Sequence, residues 1–218
     1  MASKPMKLIA KASVFLCLMA LCVNARAADG SSFKPPAGAR VAIVVFEDLE
    51  CPTCAFMYPK IWDAANTRRI PVLLHDFPLG PKHPWSLKAA VWARFFDTKS
   101  EKLGIEFRSY IFGNQNSIYP GNLRQYVQKF ADDNHVPLPF AEDPGDKLLA
   151  KVNADHDLGM KIGVNETPTI FVVSNKEAVQ VTQFDQLNQL IEDVQKRAGP
   201  APTATKATTT KKKKKKTG

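Results

Sequence analysis

VAIVVF at 41 to 46 is an unbroken, largely β-branched apolar run, the pattern of a strand buried on both faces. AFMYPKIWDAAN, beginning at residue 55, reads as a helix to about residue 66, and IPVLLHDF at 70 to 77 as a second buried strand. Strand, helix and strand in that order make a βαβ unit with a parallel pair. Residues 83 to 158 read as helical throughout. In HPWSLKAAVWARFFD, Trp85, Ala89, Trp92 and Phe96 fall at i, i+4, i+7 and i+11 on one face. Further helices are expected at 99 to 112, 121 to 133 and 144 to 162. TIFVV at 169 to 173 and AVQVT at 178 to 182 read as strands joined by a tight turn around Asn175-Lys176, and FDQLNQLIEDVQKRA at 184 to 198 as an amphipathic helix stopped by Gly199-Pro200. No internal repeat interrupts this order. It predicts an α/β fold: a four-stranded mixed sheet with an inserted helical domain over about 83–158.

The two ends obey different rules. Lys4, Lys7 and Lys11 precede the apolar run ASVFLCLMALCV at 12 to 23, followed by Ala25-Arg26-Ala27. A positive start, a short apolar stretch and an A-x-A site form a secretory signal, with cleavage expected after Ala27 and a periplasmic or otherwise exported product. Twelve residues give roughly 18 Å of helix against a hydrocarbon core of about 30 Å, too short to span comfortably. A lipoprotein reading through Cys22 is disfavoured by Leu21, where a small residue is wanted. The organisation expected is therefore a signal peptide at 1–27, a polar linker at 28–38, a folded domain at 39–199 and a disordered Lys-rich tail at 200–218.

Charge follows that division. Of the 30 basic residues, four precede residue 28 and seven follow residue 205, which leaves 19 against 21 acidic side chains in between. The folded part is slightly acidic, and the basic balance of the whole chain belongs to its ends. Lys211–Lys216 reads as a solvated end, with weak contact to an anionic envelope surface as its functional alternative. No aromatic interleaves these lysines, so nucleic acid is not an expected partner.

Signal cleavage removes Cys17 and Cys22 and leaves only Cys51 and Cys54, in FEDLECPTCAFMYPKI. Such a pair holds a metal, staples a loop or exchanges electrons with other thiols. A metal site wants further ligands, and the four histidines, His75, His83, His135 and His156, form no second close pair. A structural framework would spread several bridges through the chain. Between a strand and a helix, Cys51 stands at the helix N-terminus, where unpaired N–H groups and the macrodipole favour a thiolate. Cys54, one turn further in, is shielded and resolves the mixed disulfide formed on Cys51. The cofactor expected is this redox-active disulfide, with no metal. A second motif, Glu166-Thr167-Pro168-Thr169-Ile170-Phe171, puts a proline directly before an apolar strand. Taken alone it is an ordinary strand start. Beside the cysteine pair, a cis Thr167–Pro168 bond exposing the Thr167 backbone to an extended substrate is the better reading. The Trp85, Trp92, Phe96 stripe is expected to be core, with Phe56, Met57 and Pro78 as candidates for an apolar groove near Cys51.

CPTC after an apolar strand, HDFPL at 75 to 79 followed by HPWSLKAA, and KIGVNETPTIFV at 161 to 172 together resemble the DsbA-like thiol–disulfide oxidoreductases, over about residues 39 to 198. The resemblance implies a thioredoxin-like fold, a nucleophilic Cys51, a resolving Cys54 and a cis Pro168 beside Thr167. It also implies a disulfide donor acting on unfolded or cysteine-containing exported proteins and re-oxidised by a membrane redox partner. Two positions depart from the family. The glutamate often found six residues before the first cysteine is here Val45, with Glu47, Asp48 and Glu50 nearby, and Glu166 stands where a small residue is usual. Acidic groups near Cys51 are expected to oppose its thiolate and weaken the chain as an oxidant. Two rivals stay open: a thiol reductase or isomerase of the same fold, and a non-catalytic thioredoxin-like binding module.

Overall fold

The computed structural model describes residues 28–200, so the expected signal segment and Lys211–Lys216 lie outside the described residues. In chain order the elements are β1 (Val41–Glu47), α1 (Pro52–Arg68), β2 (Val72–Asp76), α2 (Ser86–Asp97), α3 (Glu101–Asn114), α4 (Leu123–Asp133), α5 (Lys147–Ile162), β3 (Thr169–Ser174), β4 (Ala178–Gln180) and α6 (Leu187–Ala198). The sheet order is β2-β1-β3-β4. β1 and β2 are parallel, and β1–β3 and β3–β4 are antiparallel.

The continuous apolar run of β1 is explained by its central place. Ile43 and Val45 pack with Met57, Ile61, Ile191 and Val194 on the α1/α6 face, while Val44 and Phe46 meet Phe77, Val164 and Phe171 on the other. β2 departs from expectation. Val72 to His75 are only half-buried, because β2 is an edge strand with an open groove beside it. The β3–β4 turn closes as read: the Ser174 N–H donates to Glu177 O at 2.7 Å, and the Ser174 hydroxyl accepts from the N–H of Lys176 and Glu177.

Two expectations need correction. The stretch 83–158 is not helical throughout. Between α4 and α5, residues 134–146 are irregular, where Pro137, Pro139 and Pro144 remove donors and block the α conformation of their predecessors. Residues 28–38 are not a free linker either. The Ala28 N–H donates to Gln180 Oε1 and the Asp29 N–H to Ile162 O, and the Phe33 ring lies against Phe46, His75 and Phe171. Gly30 makes this docking possible, since a Cβ there would stand 2.6 Å from the Phe171 ring.

The helical insertion has its own aromatic core, in which Trp85, Trp92, Phe96, Phe107 and Phe130 are buried as the stripe predicts. Leu49, Cys51 and Cys54 belong to this same cluster, so the cysteine pair sits on the seam between insertion and sheet. Among the described residues no helix is long and apolar enough to cross a membrane.

Candidate active site

Cys51 is the N-cap of α1, Pro52 occupies the first helical position, and the Cys51 carbonyl accepts from the Ala55 N–H at 3.1 Å. This places the Cys51 sulfur where the first N–H groups of α1 have no helical partner. Thr167, in the loop that enters β3, brings its backbone oxygen to 3.2 Å from Cys51 Sγ. The Thr167–Pro168 bond is cis. The structure thus joins all four residues singled out from the sequence. Both cysteines are free thiols and both are buried, with Cys51 at 5% exposure hardly less so than Cys54 at 2%.

The two thiols differ sharply in acidity. Cys51 falls from an ordinary 9.0 to about 5, chiefly through a hydrogen bond from the Cys54 thiol. Burial works against that fall, and the Thr167 hydroxyl and the N–H groups of Cys54 and Thr53 assist it. Cys54 moves the other way: burial pushes it well above the ordinary value, and its bond to Cys51 adds to this. One sulfur is a ready thiolate and the other a held proton.

The expected opposition from nearby carboxylates is not what the structure shows. The groups that set the Cys51 ionisation are a thiol, a hydroxyl and N–H donors. Asp48 turns away to accept from the N–H of Glu50 and Leu79 and from His83 Nδ1, and Glu50 accepts from the Trp85 N–H. Glu47 points into the core, where its Oε1 lies 3.1 Å from Arg108 Nε. Burial raises Glu47 from 4.5 to about 8, with Arg108 opposing.

Arg108 is the residue the sequence reading missed. It is 1% exposed and also reaches Asp97 at 2.9 Å and Asp76 at 3.5 Å. Arg94 joins Asp76 to Asp155, which in turn holds His75 Nδ1 at 2.7 Å. The network ties β1, β2, α2, α3 and α5 together, and its Glu47 end is close enough to Cys54 to help burial raise the pKa of that thiol. A signal was present: Arg108 falls on the same helical face as Gly104, Phe107 and Ile111, a charge inside an apolar stripe. Among the described residues no cluster could hold a metal ion.

Of the groove candidates, Met57 is fully buried beneath the sheet and Pro78 is buried as well, so neither can meet a substrate. Phe56 is 61% exposed, with Lys60 Nζ 4.5 Å above its ring. A cavity of about 460 Å³ opens between α1 and α3, lined by Ala55, Tyr58, Pro59, Trp62, Ile105 and Phe112.

Comparison with known proteins agrees with this architecture. A family model described as thioredoxin matches residues 36–193. The structure is similar to Wolbachia pipientis α-DsbA1 with TM-score 0.59 and 18% identity, covering 78% of this chain and 92% of that one. Pseudomonas aeruginosa DsbA2 gives TM-score 0.54 and 18% identity over 75% of this chain and 92% of that one. Proteus mirabilis ScsC in a transitional conformation gives 0.58 and 17% over 75% and 71%. Among curated proteins no sequence matches.

Proposed function

This chain belongs to the thioredoxin family, and on that premise we propose that it is a thiol–disulfide oxidoreductase that donates the Cys51–Cys54 disulfide to cysteine-containing proteins. The observation that carries the reading is Cys51 itself: a thiolate-favouring sulfur at the N-terminus of α1, backed by Cys54 and facing the Thr167 backbone. A substrate thiolate attacks Cys51 Sγ, the Cys51–Cys54 bond breaks, and a mixed disulfide forms on Cys51. The second substrate thiolate then attacks the substrate's own sulfur of that bond. Cys51 leaves as a thiolate, and the substrate has lost two electrons to the pair. Thr167 and the adjoining Pro168 flank Cys51 and offer backbone to an extended substrate segment.

The acidity of Cys51 supports donation over reduction, because stabilising the thiolate stabilises the reduced enzyme and makes the disulfide more oxidising. The N-terminal signal pattern supports export to a compartment where disulfides persist. There the substrates are folding proteins with free cysteines, and a membrane redox partner restores the disulfide.

The test is the equilibrium reduction potential of the pair against glutathione, with Cys51→Ser as control. A potential near or above about −150 mV supports a donor, and one of about −250 mV or below supports the reductase or isomerase instead. A pair that does not cycle, with function intact in Cys51→Ser, leaves only a binding module.

A further inference from the structure

When substrate attacks Cys51, the atom that leaves is Cys54 Sγ, which departs with the electron pair of the broken bond. Its surroundings are hostile to that charge: it is buried, and burial raises the energy of its thiolate. One backbone donor meets it. The Asp48 N–H points at Cys54 Sγ at 3.5 Å, while the Asp48 carbonyl accepts the Cys51 N–H at 3.0 Å. A single residue therefore holds both halves of the pair through its main chain.

Its side chain is held harder still. The Asp48 carboxylate is wholly buried and accepts three hydrogen bonds, from the N–H of Glu50 at 2.7 Å, the N–H of Leu79 at 2.7 Å and His83 Nδ1 at 2.8 Å. The rest of the 47–51 turn is tied down in the same way. The Glu47 carbonyl accepts from the Phe77 N–H, the Leu49 carbonyl from Gln115 Nε2, and the Glu50 carboxylate from the Trp85 N–H. A short turn would not need so many anchors merely to connect a strand to a helix. These anchors fix where one N–H points.

We infer that the Asp48 N–H is a catalytic donor that stabilises the Cys54 thiolate as it leaves, and that the Asp48 carboxylate, with His83 behind it, positions that donor. The device does for sulfur what preorganised N–H groups do for a developing oxyanion. As the Cys51–Cys54 bond breaks, the electron pair settles on Cys54 beside the Asp48 N–H. The thiolate then takes up the proton that the substrate thiol shed on ionising. The inference rests on the disulfide-exchange reading above and adds to it the group that lowers the barrier to leaving.

The experiment follows reduction of the oxidised protein by glutathione, measured as the rate of mixed-disulfide formation in wild type, Asp48→Ala and His83→Ala. Alkylation of Cys51 in the reduced proteins as a function of pH and thermal unfolding are recorded in parallel. The expected result is a rate roughly tenfold lower in Asp48→Ala, the worth of one modest hydrogen bond to an ionised acceptor. His83→Ala, which removes one of three donors, should fall roughly threefold. The Cys51 titration should stay unchanged in both. Unchanged rates in both variants overturn the inference, and so does a fall in rate accompanied by an equal shift of the Cys51 titration. Should Asp48→Ala not fold, His83→Ala decides on the same criteria. A wild-type protein that glutathione does not reduce at all would instead sink the disulfide-exchange reading, a distinguishable failure.

Discussion

Replacing Thr167 by valine removes one hydroxyl and keeps the shape of the side chain. The Thr167 hydroxyl is buried without a hydrogen-bond partner while Cys51 is a thiol, and it is among the groups that lower the pKa of Cys51. It is an unused donor waiting for a charge. A hydrogen bond to an ionised acceptor is worth about 1.5–3 kcal/mol, which corresponds to roughly one to two pKa units. With Cys51 at about 5, Thr167→Val should titrate between about 6 and about 7. The wild-type thiol is then about 99% ionised at pH 7 and the variant roughly 50–90%. The disulfide becomes less oxidising by about 30–60 mV, since each unit of lost thiolate stabilisation costs about 30 mV in a two-electron couple. The assay is thiolate absorbance against pH on the reduced protein, with the glutathione equilibrium measured alongside. A variant that titrates with wild type would refute the role of the hydroxyl and leave the Cys54 thiol and the helix N-terminus to hold the charge.

The reduced protein should gain stability relative to the oxidised one as pH rises from about 5 towards 9, measured as the difference between their unfolding temperatures. The sign follows from a folded-state value depressed from 9.0, so the unfolded thiol keeps its proton over a range where the folded one has lost it. Glu47 acts oppositely: raised from 4.5 to about 8, it costs stability as pH climbs through that window, and Glu47→Gln should flatten the loss in either redox form. Arg108→Met leaves Glu47 without its cation and Asp76 and Asp97 with Arg94 alone, and should destabilise by about 3–5 kcal/mol in urea unfolding. Gly159→Ala is expected to cost about 1–3 kcal/mol in the same assay despite the better helix propensity of alanine, because the new Cβ would meet the Phe77 ring at 2.6 Å and Phe46 at 3.1 Å.

What was legible in the sequence was what neighbouring residues write together. β1 betrays itself by six apolar positions in a row, and Cys51, Pro52 and Cys54 mark a helix start by the needs of that helix. Thr167-Pro168 is equally local, and only its meeting with Cys51, across 116 residues of chain, had to be supplied by the fold. Charge was misread for the same reason. Glu47, Asp48 and Glu50 lie within four residues of Cys51, and sequence distance suggested that they would oppose its thiolate. A strand end followed by a turn sends successive side chains to different places: Glu47 into the core towards Arg108, Asp48 and Glu50 towards residues 79–85. The partners that hold them come from segments roughly 30 to 60 residues away, and no local pattern reveals that. Glu47 also bears on the empty family position at Val45, two residues earlier and thus on the same face of β1. The shift of two keeps a buried carboxyl on the side of the strand nearest Cys54, whose acidity Glu47 helps to suppress. A buried carboxyl can therefore stand one pleat along from its expected column, provided the insertion supplies a cation, here Arg108, to share its burial.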